Sequence, residues 1–250
     1  MSLLATKHIS KHFDGVAAVD HLSLEFKAGT ITGIIGPNGS GKSTLVNLLT
    51  GVLPYDAGTI VVGDAVTVKN IKPYEAEEYG ITRTFQDVRL FEQMPVLDNI
   101  LVVLTERTVF NALFEKHSQF HLTEAEKVLK RVGLWEKRHE LGANLSYGQR
   151  KLLEVARVLA MLTGGGQEAE IILFDEPFAG LFPEMIKIVS EVIKELKGHG
   201  KAVVLIEHNM ELIRGLCDHV IVLDAGKLLA EGAPSEVLAN PEVIEAYLGE

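Results

Sequence analysis

The sequence predicts an α/β fold with a mainly parallel sheet, an N-terminal antiparallel β-subdomain and an inserted helical subdomain. Three observations predict this architecture: short continuous apolar runs, alternating segments near the N-terminus, and helical periodicity from about 88 to 162. A chain of 250 residues, 47% of them hydrophobic, is long enough to bury a full core. We therefore expect one domain, 1–250, made of several subdomains.

Four apolar runs bounded by turns predict the parallel sheet. Continuous apolar runs of this length are typical of strands buried on both faces, and such strands form parallel sheets covered by helices. The runs are ITGIIG (31–36), IILF (171–174), AVVLIE (202–207) and HVIVL (219–223).

The remaining segments follow other patterns. Residues 9–30 and 58–70 alternate and break at Gly and Asp, as antiparallel strands and turns do. The tail, from Pro234, is typical of one or two short helices with Ser235 as a cap. The predicted subdomains are a core that includes the antiparallel β part (1–87 and 163–231), a helical part (88–162) and a helical tail (232–250), with TGGGQEAE (163–170) as a flexible loop.

Composition excludes several classes of function. A formal net charge of −10 argues against electrostatic binding to nucleic acid or anionic lipid. The single cysteine, Cys217, allows no internal disulfide, which fits a reducing compartment. The chain has no apolar run of membrane-spanning length and no secretory leader, so we expect a soluble cytoplasmic protein that another protein brings to any membrane.

The segment GPNGSGKST, 36–44, matches the phosphate-binding pattern G-x-x-x-x-G-K-[ST] and lies between a predicted buried strand and an apolar helix. Its glycines let backbone N–H groups surround phosphate oxygens, Lys42 can bridge the β- and γ-phosphates, and Ser43 can hold Mg²⁺. The sequence therefore predicts a nucleotide site.

A second motif supports hydrolysis of that nucleotide. IILFDEP, 171–177, is a buried strand that ends in Asp175 and Glu176. An aspartate at a strand end suits Mg²⁺, and Glu176 can accept a proton from an attacking water. Paired carboxylates alone are as often part of a turn, but the phosphate loop favours the catalytic interpretation.

LSYGQ, 145–149, begins a predicted amphipathic helix. The free N–H groups and the dipole of a helix start, equivalent to roughly half a charge, attract anions. The chain therefore carries a second phosphate-ready helix start, about a hundred residues after the first. Its apolar stripe consists of Leu152, Val155, Leu159 and Leu162.

These motifs, in this order, resemble the ATP-binding cassette (ABC) ATPases. GPNGSGKST, RTFQ ending at Gln86, LSYGQ, IILFDE and His208 after a strand span nearly the whole chain. Within the family, TRTFQDVRLFEQMPVLDNI, LSYGQRKLLEVAR, HNMELIRGLCDHVIVLDAGKLLAEG and NPEVIEAYLGE resemble the cassette subunits of branched-chain amino-acid importers.

The resemblance implies the role of the second helix start. Two cassettes close head to tail, so that Ser146, Gly148 and Gln149 contact the ATP that the other subunit's phosphate loop holds. Gln86 would reach the Mg²⁺ or the attacking water at the hinge to the helical subdomain, His208 would contact the γ-phosphate, and Phe13 would stack on adenine. The full candidate set is catalytic Glu176, His208 and Gln86; metal-binding Ser43, Gln86 and Asp175; and nucleotide-binding Phe13, Gly36, Pro37, Asn38, Gly39, Ser40, Gly41, Lys42, Ser43, Thr44, Ser146, Gly148 and Gln149.

The resemblance also implies the partners. We expect ATP and Mg²⁺ as ligands, integral-membrane permease subunits docked near 87–100, a second cassette, a solute-binding protein in the full system, and a position on the inner face of the membrane. Two departures from the family pattern are Tyr147 in LSYGQ and Phe182 after the catalytic glutamate, where Asp or Asn is usual. Alternatives are the ATPase of an exporter, a soluble non-transport ABC ATPase, and a regulator that does not hydrolyse ATP, which Phe182 alone suggests.

Overall fold

The computed structural model describes residues 1–63, 66–68, 71–84, 90–104, 119–163 and 169–248. Backbone contacts divide the chain into two compact units. The first contains Met1–Arg83, Glu170–Glu176 and Ile193–Glu250, and the second contains Thr84–Ala169 and Pro177–Val192. The second unit thus includes residues 177–192, which the sequence pattern predicts as part of the core that carries the nucleotide site.

An antiparallel sheet forms the N-terminal part of the first unit. Strand β1 pairs with β2, β3 and β5, and β5 pairs with β6, all antiparallel. Asp14 and Gly15 join β1 to β2 with φ values of 48° and 85°, as a two-residue hairpin turn of type I′ requires. The strands are β1 (Ser2–Phe13), β2 (Val16–Leu22), β3 (Glu25–Lys27), β5 (Ala57–Val62) and β6 (Val66–Val68).

A six-stranded sheet forms the centre of the first unit, in the order β11-β10-β4-β9-β8-β7. All neighbours are parallel except β10 and β11. The predicted mainly parallel sheet is therefore confirmed, and every residue of β8 and β9 is buried, as in strands covered on both faces. The strands are β4 (Thr30–Ile35), β7 (Ile81–Arg83), β8 (Ile171–Asp175), β9 (Ala202–Ile206), β10 (His219–Asp224) and β11 (Lys227–Gly232).

One core joins both sheets to helix α1 (Lys42–Leu49) in the first unit, through Leu4, Phe26, Leu45, Leu173 and Val204 among others. The helix thereby fixes the phosphate loop, which precedes it, against the end of the parallel sheet.

The tail folds into two short helices, α7 (Pro234–Val237) and α8 (Pro241–Leu248). The prediction that Ser235 caps the first of them is wrong. Ala233 is the N-cap and makes no side-chain capping bond, while Pro234 occupies the first turn, where its fixed φ suits a helix start. Asn240 instead caps α8, because its Oδ1 accepts a hydrogen bond of 3.0 Å from the Glu242 backbone N–H.

The described part of the second unit is mainly helical. Its helices α2 (Val96–Leu104), α3 (Gln119–Arg131) and α4 (Tyr147–Thr163) pack against one another. The buried Asn99 of α2 bonds both the N–H and the carbonyl of Phe91, at 3.0 and 3.1 Å. The described residues between 90 and 162 contain no strand, only an isolated bridge between Pro95 and Leu141. The described residues contain two further α-helices, α5 (Pro183–Gly198), of which 183–192 belong to this unit, and α6 (Met210–Leu216) of the first unit. None of the described helices has the length and apolar content that a membrane span requires.

Candidate functional site

The loop between β4 and α1 needs its glycines for two different reasons. Gly36, Gly39 and Gly41 have φ values of 150°, 78° and 101°, which side chains rarely adopt. A Cβ on Gly36 would also clash with the Leu223 carbonyl oxygen, whereas one on Gly39 would meet no heavy atom within 4 Å. The loop therefore packs closely against the end of strand β10 at Gly36 and has open space around Gly39.

Lys42 lies across this loop. Its side chain is buried, and Nζ donates to the carbonyl oxygens of Gly36 at 2.7 Å and Pro37 at 2.8 Å. Helix α1, which Lys42 begins, has no side-chain cap at Gly41 and no acidic residue in its first turn. An uncapped helix start beside a lysine ammonium attracts anions, so this loop can bind phosphate.

Strand register brings the acidic motif to the same edge as the phosphate loop. Ile206 of β9 pairs with Ile34 of β4 on one side and with Asp175 of β8 on the other. Because the carboxyl ends of parallel strands meet at one edge of a sheet, the loop after β4 and the residues after β8 and β9 share that edge. Asp175, Glu176 and His208 therefore lie at the nucleotide end of the sheet.

Asp175 is buried and bonded to an arginine. Arg83 Nη2 donates to Asp175 Oδ2 at 2.7 Å, and Arg83 Nη1 donates to Asn47 Oδ1 at 2.6 Å. Neither Arg83 nor Asn47 was predicted from the sequence to have a role at the site. The arginine that ends ITR, a strand whose other two residues are uncharged, was the available signal.

Glu176 has an unusual backbone conformation. Its φ is 49°, and its N–H donates to the Ile206 carbonyl oxygen at 3.0 Å. Holding a residue other than glycine in this region costs on the order of 1 kcal/mol. This conformation places Glu176 Oε1 3.2 Å from His208 Nε2, and both side chains remain partly exposed. Two of the three predicted catalytic side chains, Glu176 and His208, are thus in contact and accessible.

The start of α4 in the second unit is a capping box. Ser146 N–H donates to Gln149 Oε1 at 3.0 Å, and Gln149 N–H donates to Ser146 Oγ at 3.4 Å. A Cβ on Gly148 would lie 2.6 Å from Met185 Sδ, so an added side chain would require that flexible methionine to shift. Ser146 and Gln149 therefore have a structural role within the second unit that was not predicted from the sequence.

Two aromatic residues singled out in the sequence, the candidate Phe13 and the departure Phe182, are both exposed. Phe13 ends β1 with 42% of its surface exposed, and Lys11 Nζ lies 5.5 Å from its ring centroid. Phe182, which departs from the family pattern, is 70% exposed, and its carbonyl accepts the N–H groups of Met185 and Ile186 at the start of α5. Gln86, residues 87–89 of the predicted docking segment and residues 164–168 of the predicted loop lie outside the described residues.

The oxygen donors of the first unit suit Mg²⁺. The exposed Ser43 hydroxyl and the buried Asp175 carboxylate lie on α1 and β8, and Mg²⁺ prefers hard oxygen ligands, several of them from phosphates. The described residues contain no group of three or more His, Cys, Asp or Glu side chains that could hold a metal by themselves. The donor set therefore fits a metal ion that enters with a nucleotide.

Comparison with known proteins agrees with this geometry. Residues 19–179 match the ABC transporter family, and residues 227–250 match the branched-chain amino acid ATP-binding cassette transporter family. The chain is 38% identical to the high-affinity branched-chain amino acid transport ATP-binding protein LivG of Escherichia coli (strain K12), with 99% of this chain and 98% of LivG covered. It is 34% identical to the probable LivG protein of Archaeoglobus fulgidus, with 100% and 96% covered.

Among solved structures, the chain is similar to the ADP conformation of MJ1267, an ATP-binding cassette of an ABC transporter. The TM-score is 0.83 at 35% sequence identity, and all of both chains is covered. Family cassettes therefore bind nucleotide on this fold, and the match extends over the whole chain. The chain belongs to the ABC transporter family, as one of its ATP-hydrolysing, ATP-binding subunits.

Proposed function

We propose that this chain powers an ABC importer of branched-chain amino acids or similar small solutes. The observation that carries the proposal is one edge of the parallel sheet, where the phosphate loop, the buried Asp175 and the Glu176–His208 pair meet. The printed names of the relatives supply the solute class, because they describe branched-chain amino acid transport ATP-binding proteins.

The residues of the first unit divide the work of ATP hydrolysis. Backbone N–H groups of residues 36–44 and the Lys42 ammonium bind the phosphates, for which Lys42 exchanges its loop carbonyl partners. Ser43 and Asp175, with Gln86, would hold Mg²⁺, which would neutralise the charge that develops on the phosphates. Phe13 stacks on the adenine.

Glu176 and His208 perform the proton and γ-phosphate chemistry. Glu176 accepts the proton of the attacking water, and its hydrogen bond to His208, 3.2 Å long, fixes the carboxylate direction. His208 contacts the γ-phosphate. The accessible position of both side chains leaves room for water beside them.

A second cassette completes each nucleotide site in this proposal. Ser146, Gly148 and Gln149 face the ATP that the partner's phosphate loop binds, and the start of α4 supplies its dipole to the γ-phosphate. The long bond of 3.4 Å from Gln149 N–H to Ser146 Oγ is easily exchanged for a phosphate oxygen. Hydrolysis removes a shared ligand and weakens the closed pair.

The membrane partners are permease subunits, accompanied by a solute-binding protein, and the cassette lies on the cytoplasmic face. Within the predicted docking segment 87–100, Phe91 and Met94 are 44% and 39% exposed, which suits an apolar protein contact. The net charge of −10 supports recruitment by protein rather than by anionic lipid, and it argues against nucleic acid as a partner.

Glu176→Gln tests the chemistry. The variant keeps a side chain that can bond His208 but loses the base, so ATP binding should persist while hydrolysis slows by about 10²- to 10⁴-fold. Phosphate release and equilibrium ATP binding measure the two effects. Glu242→Gln on α8, an exposed glutamate in the first unit, is the matched control and should hydrolyse ATP normally. Unchanged turnover in Glu176→Gln would remove the glutamate from its proposed role.

A further inference from the structure

The guanidinium of Arg83 bridges two elements of the nucleotide site. One amino group bonds Asp175 Oδ2 at 2.7 Å, and the other bonds Asn47 Oδ1 at 2.6 Å. The side chains of Arg83 and Asp175 are only 10% and 4% exposed. This is therefore a buried, charge-assisted contact rather than a surface ion pair.

These contacts connect Arg83 to two of the three proposed metal ligands. Asp175 is itself one ligand, at the end of β8. Asn47 lies four residues after Ser43, a second ligand, on the same face of α1. The guanidinium charge therefore lies beside the position that a divalent cation takes when it binds Asp175.

We propose that Arg83 is the resident counter-charge of Asp175: a positioning residue that holds the carboxylate when no divalent cation is bound and lowers the affinity of the site for Mg²⁺. The inference rests on the proposed role of Asp175 as a metal ligand. An arginine suits this task because its charge persists at every physiological pH and its planar fork can bond two partners at once.

Two opposed effects decide whether loss of Arg83 raises or lowers the affinity of the site for Mg²⁺. Loss of Arg83 removes a hydrogen bond that orients Asp175, which by itself weakens metal binding. It also removes a positive charge that repels the metal and competes for the same carboxylate. Coulomb interaction with a divalent ion at a buried site exceeds the net worth of one hydrogen bond, so the charge effect dominates.

The arrangement has a consequence for turnover. A buried carboxylate charge without a cation beside it is costly, so departure of Mg²⁺ with ADP would be less favourable without a replacement cation. Arg83 supplies that cation from a side chain already in place. It thereby favours release of the metal with the product and return of the site to its starting state.

Arg83→Met tests the inference, because methionine keeps the apolar stem and removes the charge. In the presence of ADP, we expect Mn²⁺ to bind the variant at least about tenfold more tightly than the wild type, as measured by the free Mn²⁺ signal in electron paramagnetic resonance. Without metal, the unfolding midpoint should fall by at least about 4 °C. Saturating Mn²⁺ and ADP should remove most of that fall, which a merely structural arginine would not show.

Two further variants act as controls. In an Asp175→Asn background the negative charge of the buried carboxylate is gone. Adding Arg83→Met to that background should therefore lower the unfolding midpoint without metal no further. Arg131→Met removes an arginine from an exposed pair with Glu191 in the second unit and should leave Mn²⁺ affinity unchanged. Equal or weaker Mn²⁺ binding by Arg83→Met, or equal destabilisation with and without metal, would overturn the inference alone. Absence of Mn²⁺ binding to wild type with ADP would overturn the role of Asp175 as well.

Discussion

At the scale of single residues, burial lowers the reactivity of the Cys217 thiol. Its side chain is buried beside Gly33, where an added Cβ would lie 2.9 Å from Sγ. Burial, reinforced by the negative charges of Asp218 and Glu207, raises the pKa of the Cys217 thiol to about 12. At neutral pH the group is therefore a protonated thiol rather than a reactive thiolate.

This environment predicts slow labelling of the native protein. At pH 8, a thiol reagent should modify the folded chain far more slowly than the chain unfolded in guanidinium chloride, because only unfolding restores an ordinary thiol pKa. Since Cys217 is the single cysteine, mass spectrometry of the whole chain reports on it directly. Rapid stoichiometric labelling without denaturant would contradict the buried position.

The site residues that were predicted from the sequence and those that were missed differ in how far along the chain their partners lie. Lys42 and Ser43 belong to a contiguous motif whose chemistry is local. Arg83 bonds Asn47 and Asp175, which are 36 and 92 residues away, so only the fold brings them together. The capping box at Ser146 follows a short-range pattern that the sequence did contain, but the phosphate-binding interpretation of LSYGQ took precedence.

At the scale of elements, the start of α4 combines a structural and a proposed functional role. Gln149→Glu separates them, because glutamate also completes a capping box and interacts favourably with a helix start. The unfolding midpoint of the variant should therefore equal or exceed that of the wild type. The added negative charge should nonetheless repel the partner's γ-phosphate and weaken ATP-dependent pairing.

Pairing is measured in the Glu176→Gln background, where ATP persists, by sedimentation with and without ATP. Gln149→Asn is the companion change, since it shortens the capping side chain without adding charge. If Gln149→Glu pairs with ATP as well as its parent does, the start of α4 does not face a phosphate.

Element prediction succeeded where the hydrophobic pattern was long enough to be specific. Strands β4, β8, β9 and β10 are continuous apolar runs, and their parallel arrangement is confirmed. Strand β7 has three residues, too few to show a periodic pattern, and it is an edge strand of the six-stranded sheet. The prediction of a cap at Ser235 was wrong because it rested on residue type alone. Pro234, directly before Ser235, is favoured in the first turn of a helix, so the helix begins earlier and Ala233 is the N-cap.

At the scale of the whole molecule, the acidic surface and the exposed apolar side chains predict different partners. A net charge of −10 opposes direct adhesion to anionic lipid, whereas Phe91 and Met94 of the second unit offer apolar contact area. Tagged protein isolated in mild detergent should therefore retain a polytopic permease subunit, identified by mass spectrometry.

Met94→Asp should reduce this recovery severalfold, because it places a charge in the proposed contact. Ile244→Asp changes a similarly exposed apolar residue on α8 of the first unit and should leave recovery unchanged. Equal loss in both variants would argue against the docking segment. Recovery of ribosomes or DNA in place of a permease would favour a soluble ABC ATPase.

The left-handed backbone at Glu176 sets a limit on how stable this protein can become. Glycine would occupy a φ of 49° without penalty, so the sequence that maximises stability at this position lacks the proposed base. Selection for stability and selection for ATP hydrolysis therefore favour different residues at position 176. Selection for thermal stability alone would favour glycine there and would yield a protein without the proposed catalytic base.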